Sequence, residues 1–305
     1  MKFSEITTDL KFPEGPIALG DGSVIVVEIY GQTLKRVMPD GTHSVIAKLD
    51  GGPNGAAVGP DNWCYICNSG GWEYAIEDGV RRVTGQSSDN GWIERVHLES
   101  GEVQRLYQGT SDTPLRSPND IVFDRHGGFW FTDHGKTIGR NRDVTGVFYA
   151  QADGSHIEEV IFPMTTPNGI GLSPDEKILY VSETQTRSLW AFDIISPGVI
   201  DKRPWPSLNG GWKVAGLEDD FLLDSMAIDS GGYICVASLR NGGIWEISPD
   251  GQTRKHYPLP DFYTTNICFG GPDLSTAYVT LSATGRLVSF DWSRPGLPLN
   301  YLNKN

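Results

Sequence analysis

The chain has 305 residues, a formal net charge of −13, 38% hydrophobic and 10% aromatic residues, 37 glycines and 19 prolines. That apolar content supplies a core and excludes a disordered chain, and the acidity excludes a phosphate-tracking nucleic-acid surface, since Lys and Arg cluster no further than pairs such as Lys35-Arg36 and Arg81-Arg82. With no long amphipathic helical pattern, no run of ~18 apolar residues and no apolar leader in MKFSEITTDL, the expectation is a cytoplasmic protein without a membrane partner, monomeric or weakly homo-oligomeric.

Six stretches superpose in chain order: residues 12–28 (FPEGPIALGDGSVIVVE), 53–68 (PNGAAVGPDNWCYICN), 118–133 (PNDIVFDRHGGFWFTD), 167–183 (PNGIGLSPDEKILYVSE), 223–238 (LDSMAIDSGGYICVAS) and 264–280 (TTNICFGGPDLSTAYVT). Each opens on a polar residue, continues as a short alternating apolar run, turns at Gly, Pro or Asp, and returns as a second alternating run. The leading polar residues are Glu14, Asn54, Asn119, Asn168, Asp224 and Thr265, about 40 to 65 residues apart. Repeats of this length, built from paired short strands, specify an all-β fold, a six-bladed β-propeller with four antiparallel strands per blade, filling residues 1–305 as one domain. The segment FSEITTDL is expected to close the ring by pairing with the last blade.

The innermost strand of a propeller blade runs from one mouth of the central channel to the other, and the second strand returns. The six leaders therefore ring one mouth as a polar floor. The returning ends, at 28–30, 68–72, 133–134, 183–185, 238–240 and 281–282, are expected to build its wall. Insertions at 71–92 and 135–146 follow such ends directly and either overhang the mouth or decorate the rim; those at 109–117 and 196–220 are of similar Gly-, Ser- and charge-rich composition. Loops on a rigid scaffold usually carry selectivity.

Glu14 and Asp224 on one axis would repel each other and lose hydration, and no Lys or Arg leads any blade. A divalent cation is the natural partner. An all-oxygen set of Glu, Asp and Asn is hard-ligand chemistry, suited to Ca²⁺, Mg²⁺ or Mn²⁺. Alone, each leader reads equally as a turn residue; it is their recurrence at one repeat position that points to a site. A hard cation there is either structural or catalytic, polarising a carbonyl or phosphoryl oxygen and acidifying water. The chain has no G-x-S-x-G, no H-E-x-x-H and no G-x-G-x-x-G after a strand, so a covalent nucleophile and dinucleotide chemistry lack support. Cys64 and Cys67 form a C-x-x-C, but on a strand they point to opposite faces; with Cys235 and Cys268 they read as buried free thiols.

Taken together, FPEGP with Glu14, SPNDIVFD with Asn119, the Phe131-Thr132-Asp133 end of GGFWFTD, TPNGIGLSPDEKILYVSET with Asn168 and LLDSMAID with Asp224 make the chain resemble the senescence marker protein / gluconolactonase / luciferin-regenerating enzyme family over essentially its full length. The resemblance implies a lactone hydrolase with one divalent ion, often calcium, held by Glu14, Asn168 and Asp224; magnesium, manganese or zinc are the alternatives. It also implies Asn119 beside the ion, as substrate contact or fourth ligand, and Asp224 doubling as general base. Two departures argue against gluconolactone or gulonolactone as substrate: Ser117 stands where sugar lactonases carry Arg, with Arg116 one step off, and Asp224-Ser225 replaces Asp-Gly.

Four residues at the returning ends extend the candidate site. His134, after the FTD end, either relays protons or donates to a ring oxygen, or is a turn histidine beside Gly135. Tyr30 and Trp72 either give the pocket a less polar wall or pack the rim. Arg240 either pairs with a substrate carboxylate or oxyanion or makes a surface salt bridge. With Asn54 and Asn119, these form the expected substrate contacts. The leading function is a metal-dependent lactonase in which the cation polarises the carbonyl and Asp224 activates water, with a small-molecule lactone or ester as its partner. The alternatives are a phosphotriesterase-like hydrolase and a non-catalytic ligand-binding propeller with a structural cation.

Overall fold

The computed structural model describes residues 2–218 and 220–304. No helix occurs among them. The innermost strands of six antiparallel sheets are Pro13–Ala18, Pro53–Val58, Pro118–Phe123, Pro167–Leu172, Phe221–Ile228 and Thr264–Gly270. Each packs against the next in order, and the sixth returns to the first, so the six sheets close into a six-bladed propeller. Blades one, two, three and five run outward as four strands in chain order. In blade six the outermost strand is Ser4–Thr7, antiparallel to Arg286–Asp291, which is the closure read from FSEITTDL. Blade four splits its outer strand: Val199–Asp201 and Trp212–Gly216 occupy successive parts of one edge of Ser188–Ser196.

Why these segments are strands is visible in Val24–Glu28. Val24 and Val26 enter the core shared with Cys268 and Leu287 of blade six. Ile25 and Val27 enter the core shared with Ile66 and Val96 of blade two. Period-two alternation thus buries both faces between neighbouring blades, which is why the run is apolar throughout. The same rule separates Cys64 from Cys67, which lie in different cores. All four cysteines are buried and unbridged.

The turn after each inner strand repeats one device. The carboxylates of Asp21, Asp61, Asp124, Asp175, Asp229 and Asp273 each accept the backbone N–H two residues on, at 2.8–3.2 Å. A side chain that mimics a turn carbonyl in this way is the reason Asp recurs between the paired strands. Each inner strand also carries a register shift at or just after its leader. A bulge re-aims a side chain and bends the strand, so six equivalent bulges turn the leading polar groups toward the axis.

Below the leaders the channel is apolar. Ile17, Val58, Phe123, Leu172 and Ile228 line it, and the C-terminal segment with Leu297 and Leu302 covers its far end, leaving a cavity of about 110 Å³. The cover is tied down by Leu297 N donating to the Ile228 carbonyl at 2.9 Å and by the Asn300 amide donating to the Phe123 carbonyl at 3.1 Å. The C-terminal segment therefore covers one end of the channel.

Candidate active site

Glu14, Asn54, Asn119, Asn168 and Asp224 are all buried at the leader positions. Glycine one residue further on lets the blades approach. A Cβ on Gly55 would lie 2.4 Å from the Asn119 carbonyl oxygen, and one on Gly169 would lie 2.6 Å from the Asp224 carbonyl oxygen. The glycines of blades one, two and four are thus pressed on the next blade's leader, which is the physical content of a glycine after Pro-Glu or Pro-Asn.

In the sixth blade Thr265 is buried at the leader position, and Asn266 follows it as Asp120 follows Asn119. The Thr265 hydroxyl is engaged with the hydroxyls of Thr280 at 2.9 Å and Ser282 at 2.6 Å, and the amide of Asn266 reaches Glu14 Oε2 at 2.9 Å. Asn266 is therefore the blade-six amide nearest the carboxylates. Asp120, the residue after Asn119, was also not among the expected site residues. It is buried in the channel and accepts the N–H groups of Ile121 at 3.0 Å and Ile170 at 3.3 Å. Its signal in the sequence is an acid at the position where blades one, two and four carry glycine.

Three carboxyls, of Glu14, Asp120 and Asp224, are thus gathered. Burial raises Glu14 above its ordinary range, against hydrogen bonds from Asn266, Gly15 and Thr265. Burial, then the charge of Glu14, raises Asp224 well above the ordinary value and Asp120 to about 7. Among the described residues no Lys or Arg is a leading influence on them. Asp224 Oδ1 accepts the Ser225 N–H at 3.0 Å, and Asn168 hydrogen-bonds Asp224 while its Nδ2 donates to Thr184 Oγ1 at 3.2 Å. The amide oxygens of Asn54 and Asn119 are buried without a hydrogen-bond partner among the described residues. Buried carboxylates lacking a counter-charge, beside orphaned amide oxygens, fit a hard divalent cation. The set is acidic groups supplemented by amides; among the described residues no group of three His, Cys, Asp or Glu is arranged to hold a metal.

The wall differs from the one expected. Most of the polar returning ends are occupied in holding the backbone that leads into their own inner strand. Glu28 accepts Lys11 N at 2.7 Å and pairs with Lys35 at 3.0 Å. Asn68 accepts Gly52 N at 2.9 Å, Asp133 accepts Arg116 N and Ser117 N at 2.7 Å, and Glu183 accepts Thr165 N at 2.6 Å. They fix the approach of the leaders; they are clamps. Arg240 stands at the exposed rim, ion-paired with Asp220. Tyr30 is 43% exposed, with its ring edge-on to Tyr74 at 5.3 Å.

His134 is buried, with Trp72 packed 6.2 Å away between ring centroids. Its Nδ1 lies 3.2 Å from the Gly135 carbonyl, an acceptor, so Nδ1 carries the proton and Nε2 presents a lone pair. Burial, then the Arg142 guanidinium, lowers its pKa to about 3. The insertion at 71–92 forms a hairpin, Trp72–Glu77 with Val80–Gln86, and 135–146 forms a smaller one, Thr137–Ile138 with Asn141–Arg142. They meet through Thr137 N donating to Gln86 Oε1 at 2.7 Å and the buried Lys136 ammonium donating to the Ser87 carbonyl at 2.8 Å.

The fold and these residues define a six-bladed propeller with an oxygen-lined site at one mouth of its channel. Residues 12–283 match the family described as SMP-30/Gluconolactonase/LRE-like region, and the chain belongs to that family. Among its relatives, a gluconolactonase of Zymomonas mobilis is 27% identical over 87% of this chain and 75% of its own. The diisopropyl-fluorophosphatase of Loligo vulgaris is 25% identical over 96% of this chain and 93% of its own. The solved structure of a gluconolactonase from Xanthomonas campestris shares the fold with a TM-score of 0.74 at 22% identity, covering 95% of this chain and 89% of that one.

Proposed function

We propose that the chain is a metal-dependent lactonase that opens the ring of a lactone less polar than a sugar lactone. The observation that carries the reading is the gathering of Glu14, Asp120 and Asp224, with no Lys or Arg among the described residues as a leading influence on them, beside the Asn119 oxygen that none of those residues partners. Glu14, Asn168 and Asp224, with Asn119 beside them, would hold the ion. With no thiol or imidazole in the set, calcium or magnesium suits it better than zinc. A cation there supplies a counter-charge, polarises an ester carbonyl and lowers the pKa of water.

The chain's own residues complete the reaction. Asp224 orients the attacking water and takes its proton as the water oxygen bonds to the carbonyl carbon. The ring C–O bond then breaks, and the proton passes to the departing alkoxide, giving a hydroxy acid. His134, with a pKa near 3, is too weak a base for that step; its Nε2 lone pair instead accepts from a substrate hydroxyl or water. Asn54 offers a second unpartnered oxygen to the substrate. The side of the mouth carrying Trp72 and Tyr30 is aromatic, because the neighbouring acids serve as backbone clamps, and this supports a substrate with few hydroxyls.

A second reading, phosphotriester hydrolysis at the same site, is supported by the length over which the Loligo vulgaris diisopropyl-fluorophosphatase aligns. Acid release over a panel of alkyl, aryl and aldono-lactones and a phosphotriester, with and without chelator, tests both. The expected result is lactone turnover abolished by chelation and restored by calcium, with Asp224→Asn lowering kcat roughly 10²–10⁴-fold. Turnover unaffected by chelation, or normal turnover in Asp224→Asn, would overturn the mechanism.

A further inference from the structure

The hairpin Trp72–Gln86 has a tight Asp78-Gly79 turn, both residues at positive φ (53° and 77°), which suits a two-residue β-hairpin. Alternation along its first strand puts Trp72 and Tyr74 on one face. The second strand reaches across to blade six: Arg81 N donates to the Ala283 carbonyl at 3.0 Å, and the Arg82 guanidinium lies 4.9 Å over the Phe262 ring. The hairpin therefore starts in blade two and anchors on blade six, passing over blade one, which carries Glu14. The Tyr74 ring is held between Phe12 and Tyr30, each 5.3 Å away.

Tyr74 as a residue is only partly covered, yet its hydroxyl oxygen is buried and has no hydrogen-bond partner among the described residues. The ring contact with Phe12 sets Tyr74 beside the strand that carries Glu14, two residues further on. Burial keeps the phenol well above its ordinary pKa, so it remains a donor. The indole N–H of Trp72, on the same strand face, is likewise buried and unpartnered. A buried hydroxyl without a partner destabilises the fold that holds it, and such groups persist where a ligand completes them. The ring contacts with Phe12 and Tyr30 would be met equally by phenylalanine; only the hydroxyl lacks a structural purpose.

We propose that Tyr74, carried over the mouth by the blade-two hairpin, donates a hydrogen bond to the carbonyl oxygen of the bound lactone. The inference rests on the lactonase reading and adds to it a donor from an inserted hairpin instead of the repeat. Because charge develops on that oxygen during attack, the bond strengthens toward the transition state, and its loss falls mainly on kcat.

The test is Tyr74→Phe, assayed on the lactone that wild type turns over best, with calorimetric binding of the matching lactam and of calcium, and with thermal melting. The expected outcome is kcat/KM lower by roughly 10- to 100-fold, most of it in kcat, with lactam binding weakened about threefold. Calcium affinity should be unchanged, and Tm equal or higher, because an unpaired buried hydroxyl has been removed. Unchanged kcat/KM overturns the proposal, as does a loss of activity accompanied by a lower Tm and weaker calcium binding, which would make the hydroxyl structural. Wild type that binds lactam without turning over any lactone overturns the lactonase reading alone, and Tyr74 is then judged by the lactam Kd. Wild type that does neither overturns both.

Discussion

His134 shows how a single residue can be placed by sequence and yet change character in its surroundings. An exposed imidazole titrates near 6.5 and could serve as a base. Here burial, then Arg142, brings it to about 3, while Gly135 holds the proton on Nδ1. The consequence for stability has a definite sign. The unfolded chain binds a proton at His134 below about pH 6.5 and the folded chain does not until about pH 3, so between those values acidification favours unfolding. The lost stability approaches ~1.4 kcal/mol per pH unit in that window. His134→Phe keeps a flat ring against Trp72 and removes the proton site. Its Tm should fall less than that of wild type between pH 6.5 and 4.5, and parallel melting curves for the two proteins across that range would refute the assignment.

Elements explain what single residues could not. The acids at the returning strand ends were legible as recurrent, but recurrence alone does not distinguish a wall from a clamp. The distinction depends on where the preceding loop runs: Asp133 accepts Arg116 N and Ser117 N because that loop curls back onto its strand end. Asn266 was hidden for a related reason, since a threonine pair precedes it and the bulge decides which side chain reaches the axis. Close contact between inner strands gives a prediction at this scale. A Cβ at Gly169 would meet three backbone atoms of blade five, the Asp224 carbonyl oxygen at 2.6 Å, Ser225 Cα at 2.8 Å and Met226 N at 2.9 Å. Backbone cannot yield as a flexible side chain can, so Gly169→Ala should cost about 1–3 kcal/mol and displace Asp224. Chemical denaturation and calcium titration of the variant should show both losses together; a loss of stability with normal calcium binding would mean the strain relaxes away from the site.

The molecule as a whole depends on closure of the ring. Ser4–Thr7 is the outer strand of blade six, paired with Arg286–Asp291, so the last sheet is completed from the other end of the chain. Deleting residues 2–8 would leave the Arg286–Asp291 edge unpaired and open to pairing between molecules. We expect Tm to fall by at least about 5 °C and aggregation to rise with protein concentration, both read by light scattering during melting. Unchanged melting would mean that the ring is held by the contacts between inner strands alone.

The amino-acid sequence by itself determined the six-bladed architecture, the closure at its N-terminal strand and the positions of the leading polar groups. Those features are written in local patterns that reinforce one another: period-two alternation and turn aspartates recur in all six blades, and a glycine follows the leader in blades one, two and four. Tertiary structure alone decided which of the polar groups remain unpartnered. It occupied Glu28, Asn68, Asp133 and Glu183 with backbone N–H groups, added Asp120 and Asn266 to the axis, and carried Tyr74 from blade two to the neighbourhood of Glu14. Hydrogen-bond satisfaction is a property of what stands opposite a group in space, and residues far apart in the chain supply it.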